Sequence, residues 1–311
     1  MTRLGLGVQL AAQDASWTQL LAAAVRADAL GYDHVWLPDH LVPIHGDESA
    51  PVFEAYTAIA ASTGRTRLGL LVGANTFRNP AVLAKTIVTV DHISGGRGIL
   101  GLGAGWYARE HEAYGIDFGA SAGTRLDRLD EALSVLRPLL GGEEVTHRGP
   151  TYRTERLRLV PAPVHGRVPI LVGGVGERKT LRSVARHADL WNAQVSLADA
   201  PHKLAVLDAH CADVGRDPRD VERTLDCAVF VRDSAAAARG ALEASCVALD
   251  VDVPPPDSSF HWTGTPAEIA QRVLDFVALG FTTITCELQP PYDEETLERL
   301  VGEVRPLVDA A

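Results

Sequence analysis

The chain lacks most of the residue patterns that announce a function. Its 311 residues include four cysteines, Cys211, Cys227, Cys246 and Cys286, and none has the paired spacing of a zinc or redox site. They read as small buried hydrophobes in a reducing compartment. Lys and Arg total 29 against 40 Asp and Glu, a formal net charge of -11 with no basic stripe. That balance argues against a nucleic-acid partner, which would need clustered cations to replace counterions. Any anion must be held locally, by amides, helix dipoles or a few basic side chains. No run approaches the roughly 20 apolar residues that span a bilayer, so no membrane partner is expected. The opening MTRLGLGVQLAAQDASW has no long apolar core of the signal-peptide kind, and a cytoplasmic location is the expectation.

Other absences concern chemistry. No GxSxG nucleophile elbow occurs. Strand one ends GVQ without a histidine, and His40 and His45 share a single loop, a poor match to a barrel metal hydrolase. No metal site is expected. The glycine-rich turn Gly173 to Gly176 is followed by Glu177, Arg178 and Lys179, and the lysine and hydroxyl of a P-loop are wrongly placed, which disfavours an ATPase.

What is present is a globular composition, 46% hydrophobic and 22% charged, and one informative stretch from Asp91 to Phe118. Ser94, Gly95 and Gly96 stop a helix, and Gly98 to Leu102 form a short strand suited to burial on both faces. Gly101, Gly103 and Gly105 then remove three Cβ atoms at alternate positions. Such bare main chain can admit a flat ligand or a phosphate, and it can equally permit close packing of neighbouring elements. Trp106 and Glu110 follow directly.

The same alternation of strand and helix runs through the chain. Strands are expected at Leu4 to Val8, His34 to Leu37, Leu68 to Gly73, Gly98 to Leu102, Ile170 to Gly173, Asp189 to Ala193, Leu225 to Val231 and Thr283 to Glu287. Between them Ser16 caps one helix, Val52 to Ser62 reads as another, and Pro80 opens a third. Further helices are expected over Arg125 to Leu140, Glu177 to Ala188, Ala200 to Val214, Ser234 to Leu249, Thr265 to Leu279 and Glu294 to Val308. From Gly141 to Val168 the pattern gives way to glycine, proline and charge, with a hairpin around Arg148 to Tyr152. The economical fold is a single-domain α/β (β/α)8 TIM barrel over 1–311 with an insertion, 141–168, after strand four. An open doubly wound sheet is the alternative.

In a barrel the chemistry belongs at the carboxyl ends of the strands. That rule selects Gln9, Asp39 and His40, Asn75 and Thr76, Gly103 to Glu110, Gly174 to Glu177, Asn192, Gln194 and Glu287, which should converge on one mouth. His40 suits proton transfer near neutral pH, although Asp39 can equally serve loop amides. The turn before Arg178 and Lys179 is a candidate anion cradle. Gly73, Ala74 and Asn75 are small enough for a planar ring to lie against them, and are also an ordinary loop before Pro80. His111, His147, His165, His187 and His210 read as solvated. Phe77, Trp106, Tyr107, Phe260 and Trp262 point to a moderately apolar pocket, while being ordinary core residues too.

Four segments, GYDHVWLPDH, NPAVLAKTIVTVDHISGGRGILGLGAGWYAREHEAYGIDF, PILVGGVGERKTLRSVARHADLWN and GTPAEIAQRVLDFVALG, resemble the bacterial luciferase-like family of flavin and deazaflavin oxidoreductases along nearly the whole chain. Within it, SGGR, GLGAGW, Glu110 and VGGVGE look most similar to the branch that uses coenzyme F420. The resemblance implies a TIM barrel holding a flavin-like ring, often with a non-proline cis peptide near the end of strand three, here at about Gly73 to Asn75. It implies cofactor contacts at Gly73, Ala74, Asn75, Gly103, Ala104, Gly105, Trp106, Gly173, Gly174, Val175, Gly176 and Glu177, the last four with Gly173 carrying a phosphate. Asp39, His40 and Glu110 become the catalytic candidates, and Trp106 stands where relatives have a carboxylate. The implied activity is hydride transfer between F420 and a small organic substrate covered by 141–168 and the Pro254 to Trp262 loop. The rival on the same fold is a monooxygenase using reduced FMN and oxygen. Relatives of this kind are frequently dimers, so a homodimer is a further expectation.

Overall fold

A computed structural model describes residues 3–44 and 54–311. The polar loop expected at His45 to Ser49, and the first residues of the helix expected from Val52, lie outside the described residues.

Parallel strands form one sheet: β1 (Gly5–Leu10), β2 (His34–Leu37), β3 (Arg67–Leu70), β4 (Gly73–Ala74), β5 (Leu100–Gly103), then β8 (Ile170–Gly173), β9 (Leu190–Ala193), β10 (Glu222–Val231), β11 (His261–Gly264) and β12 (Thr283–Leu288). The antiparallel hairpin β6 (Val145–Arg148) and β7 (Arg153–Leu157) stands apart. The sheet runs β3-β2-β1-β12-β10-β9-β8-β5-β4. Leu68 bridges to Gly98, and the Ile99 N–H donates to the Leu68 carbonyl at 2.9 Å, so the sheet returns on itself. This is the expected TIM barrel, with eight strand positions once β3 and β4 are taken as one interrupted strand. β11, which extends the upper half of β10, has no counterpart in the sequence reading.

The helices start and stop where the local chemistry directs. α1 (Trp17–Leu30) begins with a capping box between Ser16 and Gln19 and ends at Gly31 in the left-handed region. α3 (Pro80–Ser94) has Asn79 as its cap and Gly95, at φ 70°, as its stop. α2 (Tyr56–Ser62), α5 (Ala122–Leu140), α7 (Ala200–Asp213), α8 (Ala235–Ala248) and α9 (Pro266–Ala278) fall close to expectation. α6 (Thr180–His187) starts three residues later than expected, because Glu177 to Lys179 remain a turn. α4 (Ala108–Tyr114), which carries Glu110, has no counterpart in the sequence reading either.

Most of the core lies between strands and helices, while the barrel's own interior holds a small cluster of Trp36, Leu71, Ile99, Leu171 and Leu190. Few large side chains suffice there because glycines and threonines face them: a Cβ at Gly69 would lie 2.3 Å from the Ile99 carbonyl oxygen. The 141–168 insertion packs outside. Tyr152 accepts from Asn75, and Asp91 of α3 accepts the Val164 N–H at 2.8 Å.

Candidate active site

Above that cluster a cavity of about 620 Å³ opens at the carboxyl ends of the strands. Its walls include Gln9, Asp39, His40, Gly73, Ala74, Gly103 to Trp106, Glu110, Gly173 to Val175, Asn192, Gln194 and Glu287. Residues from all parts of the chain therefore share one mouth, as parallel strands require. Asn75, Gly176 and Glu177 do not line it.

His40 follows β2 and Glu110 projects from α4. The imidazole Nδ1 and Glu110 Oε2 are 3.2 Å apart, and the same oxygen accepts the Leu41 N–H at 3.0 Å. Glu110 is 1% exposed, so the His40 ring is oriented by a dry, fixed carboxylate. Trp106 meets the His40 ring edge-on at 5.6 Å and remains 62% exposed at the rim. Asp39 has a different role from its neighbour. Arg78 binds both its oxygens, at 2.7 and 2.8 Å, and the Ala74 N–H donates to it at 2.9 Å. A carboxylate so engaged braces β4.

The non-proline cis bond is Leu71–Val72, ahead of the expected Gly73 to Asn75. Strand three in fact breaks after Leu70, where the Leu71 N–H donates to the Leu37 carbonyl, and pairing resumes at Gly73 with β5. The break delivers Val72 into the barrel mouth. A Cβ at Gly103 would lie 2.6 Å from Val72 Cγ2, and one at Gly173 would lie 2.8 Å from Val72 Cγ1. These two glycines thus make room for Val72, which presents an isopropyl platform flush with bare main chain. Gly101 clears the Leu70 carbonyl instead, at 1.8 Å from its ideal Cβ.

The turn after β8 is held from behind. Trp191 Nε1 donates to the Gly174 carbonyl at 2.8 Å, and the Gly174 N–H donates to the Asn192 carbonyl. Among the described residues the N–H groups of Val175, Gly176 and Glu177 have no partner, so three consecutive main-chain donors are available to an anion. The Glu177 carboxylate faces α7, where Lys203 at 2.6 Å and His202 at 3.1 Å bind it and hold its pKa down. Asn75 is also turned away, its Nδ2 donating to the Tyr152 hydroxyl.

Three expectations fail here. Of the five aromatics only Trp106 reaches the cavity; Trp262, for one, stacks on Phe276 in the core. Neither 141–168 nor the Pro254 to Trp262 loop contributes to the lining. His111, expected in solvent, is fully buried between the Thr76 hydroxyl and the Tyr107 carbonyl, each 2.7 Å away, because α4 folds inward over the strand ends.

The wall opposite is polar. Asp226 lies on β10 and Glu287 on the adjacent β12, two residues apart in register and on the same face. Gln194 donates to Asp226 Oδ2 at 3.0 Å and Gln289 to Glu287 Oε1 at 2.8 Å. Burial, then the charge of Glu287, pushes Asp226 up to about 8, and burial raises Glu287 as well. Sequence reasoning misses Asp226; its one signal is a lone carboxylate inside the apolar run LDCAVFV.

The chain as a whole has parallels among known proteins. The model of the luciferase-like monooxygenase family matches residues 2–262. The chain is 31% identical over 255 residues to the F420-dependent hydroxymycolic acid dehydrogenase of Mycobacterium tuberculosis, covering 81% of this chain and 70% of that one. It is 26% identical, over 96% of both chains, to the F420-dependent glucose-6-phosphate dehydrogenase of Microbacterium testaceum. An F420-dependent secondary alcohol dehydrogenase, solved with an F420–acetone adduct, shares the fold at a TM-score of 0.82 and 20% identity over 99% of each chain. With the family model spanning most of the sequence, and the barrel and its mouth built as described, this chain belongs to the luciferase-like monooxygenase family.

Proposed function

We propose that the protein is an F420-dependent oxidoreductase that transfers a hydride between the deazaflavin and a small organic substrate, the whole chain acting as one barrel domain. One observation carries the reading: the Glu110-oriented His40 ring shares a cavity with the Val72 platform and with Val175, the first of three consecutive free main-chain donors. The platform fits a tricyclic ring, since Gly103 and Gly173 leave no side chain beside it. The three donors fit a phosphate, which they would hold through the main chain and not by the Glu177 side chain.

When bound, the deazaflavin supplies a carbon that gives or takes a hydride, so the protein's task is placement and proton management. Val72, at the cavity floor beside Gly103 and Gly173, is the residue that would support the ring. Asp39 and Arg78 keep Ala74 and the platform's far end in place. His40 exchanges a proton with the substrate heteroatom at Nε2 while Glu110, bonded at Nδ1, fixes the ring's orientation. Relatives named as F420-dependent and acting on hydroxymycolic acid and on glucose 6-phosphate support the cofactor while differing widely in substrate. Cytoplasmic residence and pairing of two copies complete the reading; sedimentation velocity tests the second.

The decisive experiment titrates the purified protein with F420 and with FMN, read by fluorescence. Tighter binding of F420 is expected, with quenching that saturates. Preference for FMN, with oxygen uptake on addition of its reduced form, would replace this reading by the monooxygenase one.

A further inference from the structure

The cavity has a second polar centre that hydride transfer does not use. Asp226 is 6% exposed, and its Oδ1 is buried without any hydrogen-bond partner. Such an atom is costly to leave unmet, so it marks a place where a ligand completes the bonding. Glu287 stands beside it, and His40 is close enough to act on Glu287 electrostatically. The amides around the pair are donors already committed to it: Gln194 to Asp226 and Gln289 to Glu287.

The charge inventory is one-sided. Among the described residues no lysine or arginine lines the cavity. The undescribed 45–53 segment contains none in its sequence, HGDESAPVF. Asp39 is balanced by Arg78, and Glu110 by His40 when that ring is protonated, whereas Asp226 and Glu287 accept hydrogen bonds only from amides, with the His40 ring within electrostatic reach of Glu287. An anionic group placed here would meet a buried acid pair that keeps one shared negative charge, with no lysine or arginine to offset it, and like charges in a dry site repel strongly.

We propose that Asp226 and Glu287 form the substrate-selecting subsite, which takes a hydrogen-bond-donating head group, a hydroxyl or an ammonium, and excludes phosphorylated and carboxylated substrates. This rests on the hydride-transfer reading, in which the substrate lies between His40 and this wall. Oδ1 of Asp226 bonds the head group, and the single negative charge that Asp226 and Glu287 share favours a donor there over an anion. The burial of the pair explains why selection is strong: a site built to bond a donor leaves a dry carboxylate unmet when the donor is missing.

Three probes of similar shape test it: cyclohexanol, cyclohexylammonium and cyclohexanecarboxylate. Their dissociation constants are measured by ligand-observed NMR on F420-loaded and cofactor-free protein, wild type, Asp226→Asn and Glu287→Gln. At least one donor probe should bind about tenfold or more tightly than the carboxylate, and each variant should shrink that ratio. A lead for the alcohol identifies a hydroxylated substrate, and a lead for the ammonium a cationic one. Carboxylate binding as tight as the better donor, no binding by either donor, or a ratio unchanged in both variants overturns the subsite. Failure of F420 to bind while the ranking persists sinks the hydride-transfer reading alone; F420 binding with a flat or reversed ranking sinks the subsite alone.

Discussion

Replacing Asp226 by asparagine should stabilise the protein, and should do so more as the pH rises. Burial and the neighbouring Glu287 charge raise the Asp226 carboxyl from 3.8 to about 8 in the folded chain. A group raised on folding contributes its stability fully below the unfolded value, near 4, and loses it as the pH climbs through about 8. At about 1.4 kcal/mol per pH unit, the gap between 3.8 and about 8 sets a ceiling of about 6 kcal/mol on the penalty borne by the native state in alkali. One proton relieves both Asp226 and Glu287, so the penalty belongs to the pair, and several kcal/mol is the expected difference. The amide keeps the shape of the side chain and the bond from Gln194 while removing the charge. Denaturant melts of wild type and Asp226→Asn at about pH 5, 7 and 9 measure it, with the variant ahead by about 1–2 kcal/mol at the acid end and by several at the alkaline end. A variant no more stable than wild type in alkali, or an advantage that shrinks with rising pH, would refute the buried-pair account.

His40→Ala should leave F420 binding within about twofold and lower turnover by about 10² to 10⁴, the span of a positioned acid–base group; unimpaired turnover of a true substrate removes His40 from proton transfer. Gly103→Ala should weaken cofactor binding and destabilise the fold by about 1–3 kcal/mol through its 2.6 Å clash with Val72, and adding Val72→Ala should restore the stability, which a double-mutant cycle by chemical denaturation would read as coupling. His34 lies buried beneath the site with both ring nitrogens unpartnered, and burial followed by the Arg67 charge lowers it to about 3. Its neutral form suits the fold above its unfolded value of 6.5, and stability falls as the pH drops toward 3. His34→Leu should therefore gain about 1–2 kcal/mol at neutral pH and more at about pH 5; thermal melts showing a smaller gain on the acid side would contradict this.

Much of the architecture is written locally. Ser16, Asn79 with Pro80, Gly31 and Gly95 set helix limits through bonds that span a few residues, so they can be read one segment at a time. The strands are equally legible as short apolar runs between turn signals, and strand ends select His40, Gln9, Asn192 and Glu287 correctly as neighbours in space. The short helix carrying Glu110 is not legible, because seven residues with Tyr107 as an unbonded cap give no clear period.

The sequence by itself determined that this chain alternates strands and helices into a barrel, and that its polar residues collect at one rim. Only the tertiary structure decided what those residues do there. A strand buried on both faces shows no alternation, so nothing in LDCAVFV or TITCEL tells which residues point inward; the β10–β12 register settles that Asp226 and Glu287 share the inner face. The glycines illustrate the same limit. Missing Cβ atoms at Gly103 and Gly173 signal a close approach, but what approaches is Val72, carried in from a different strand by a break no local rule specifies.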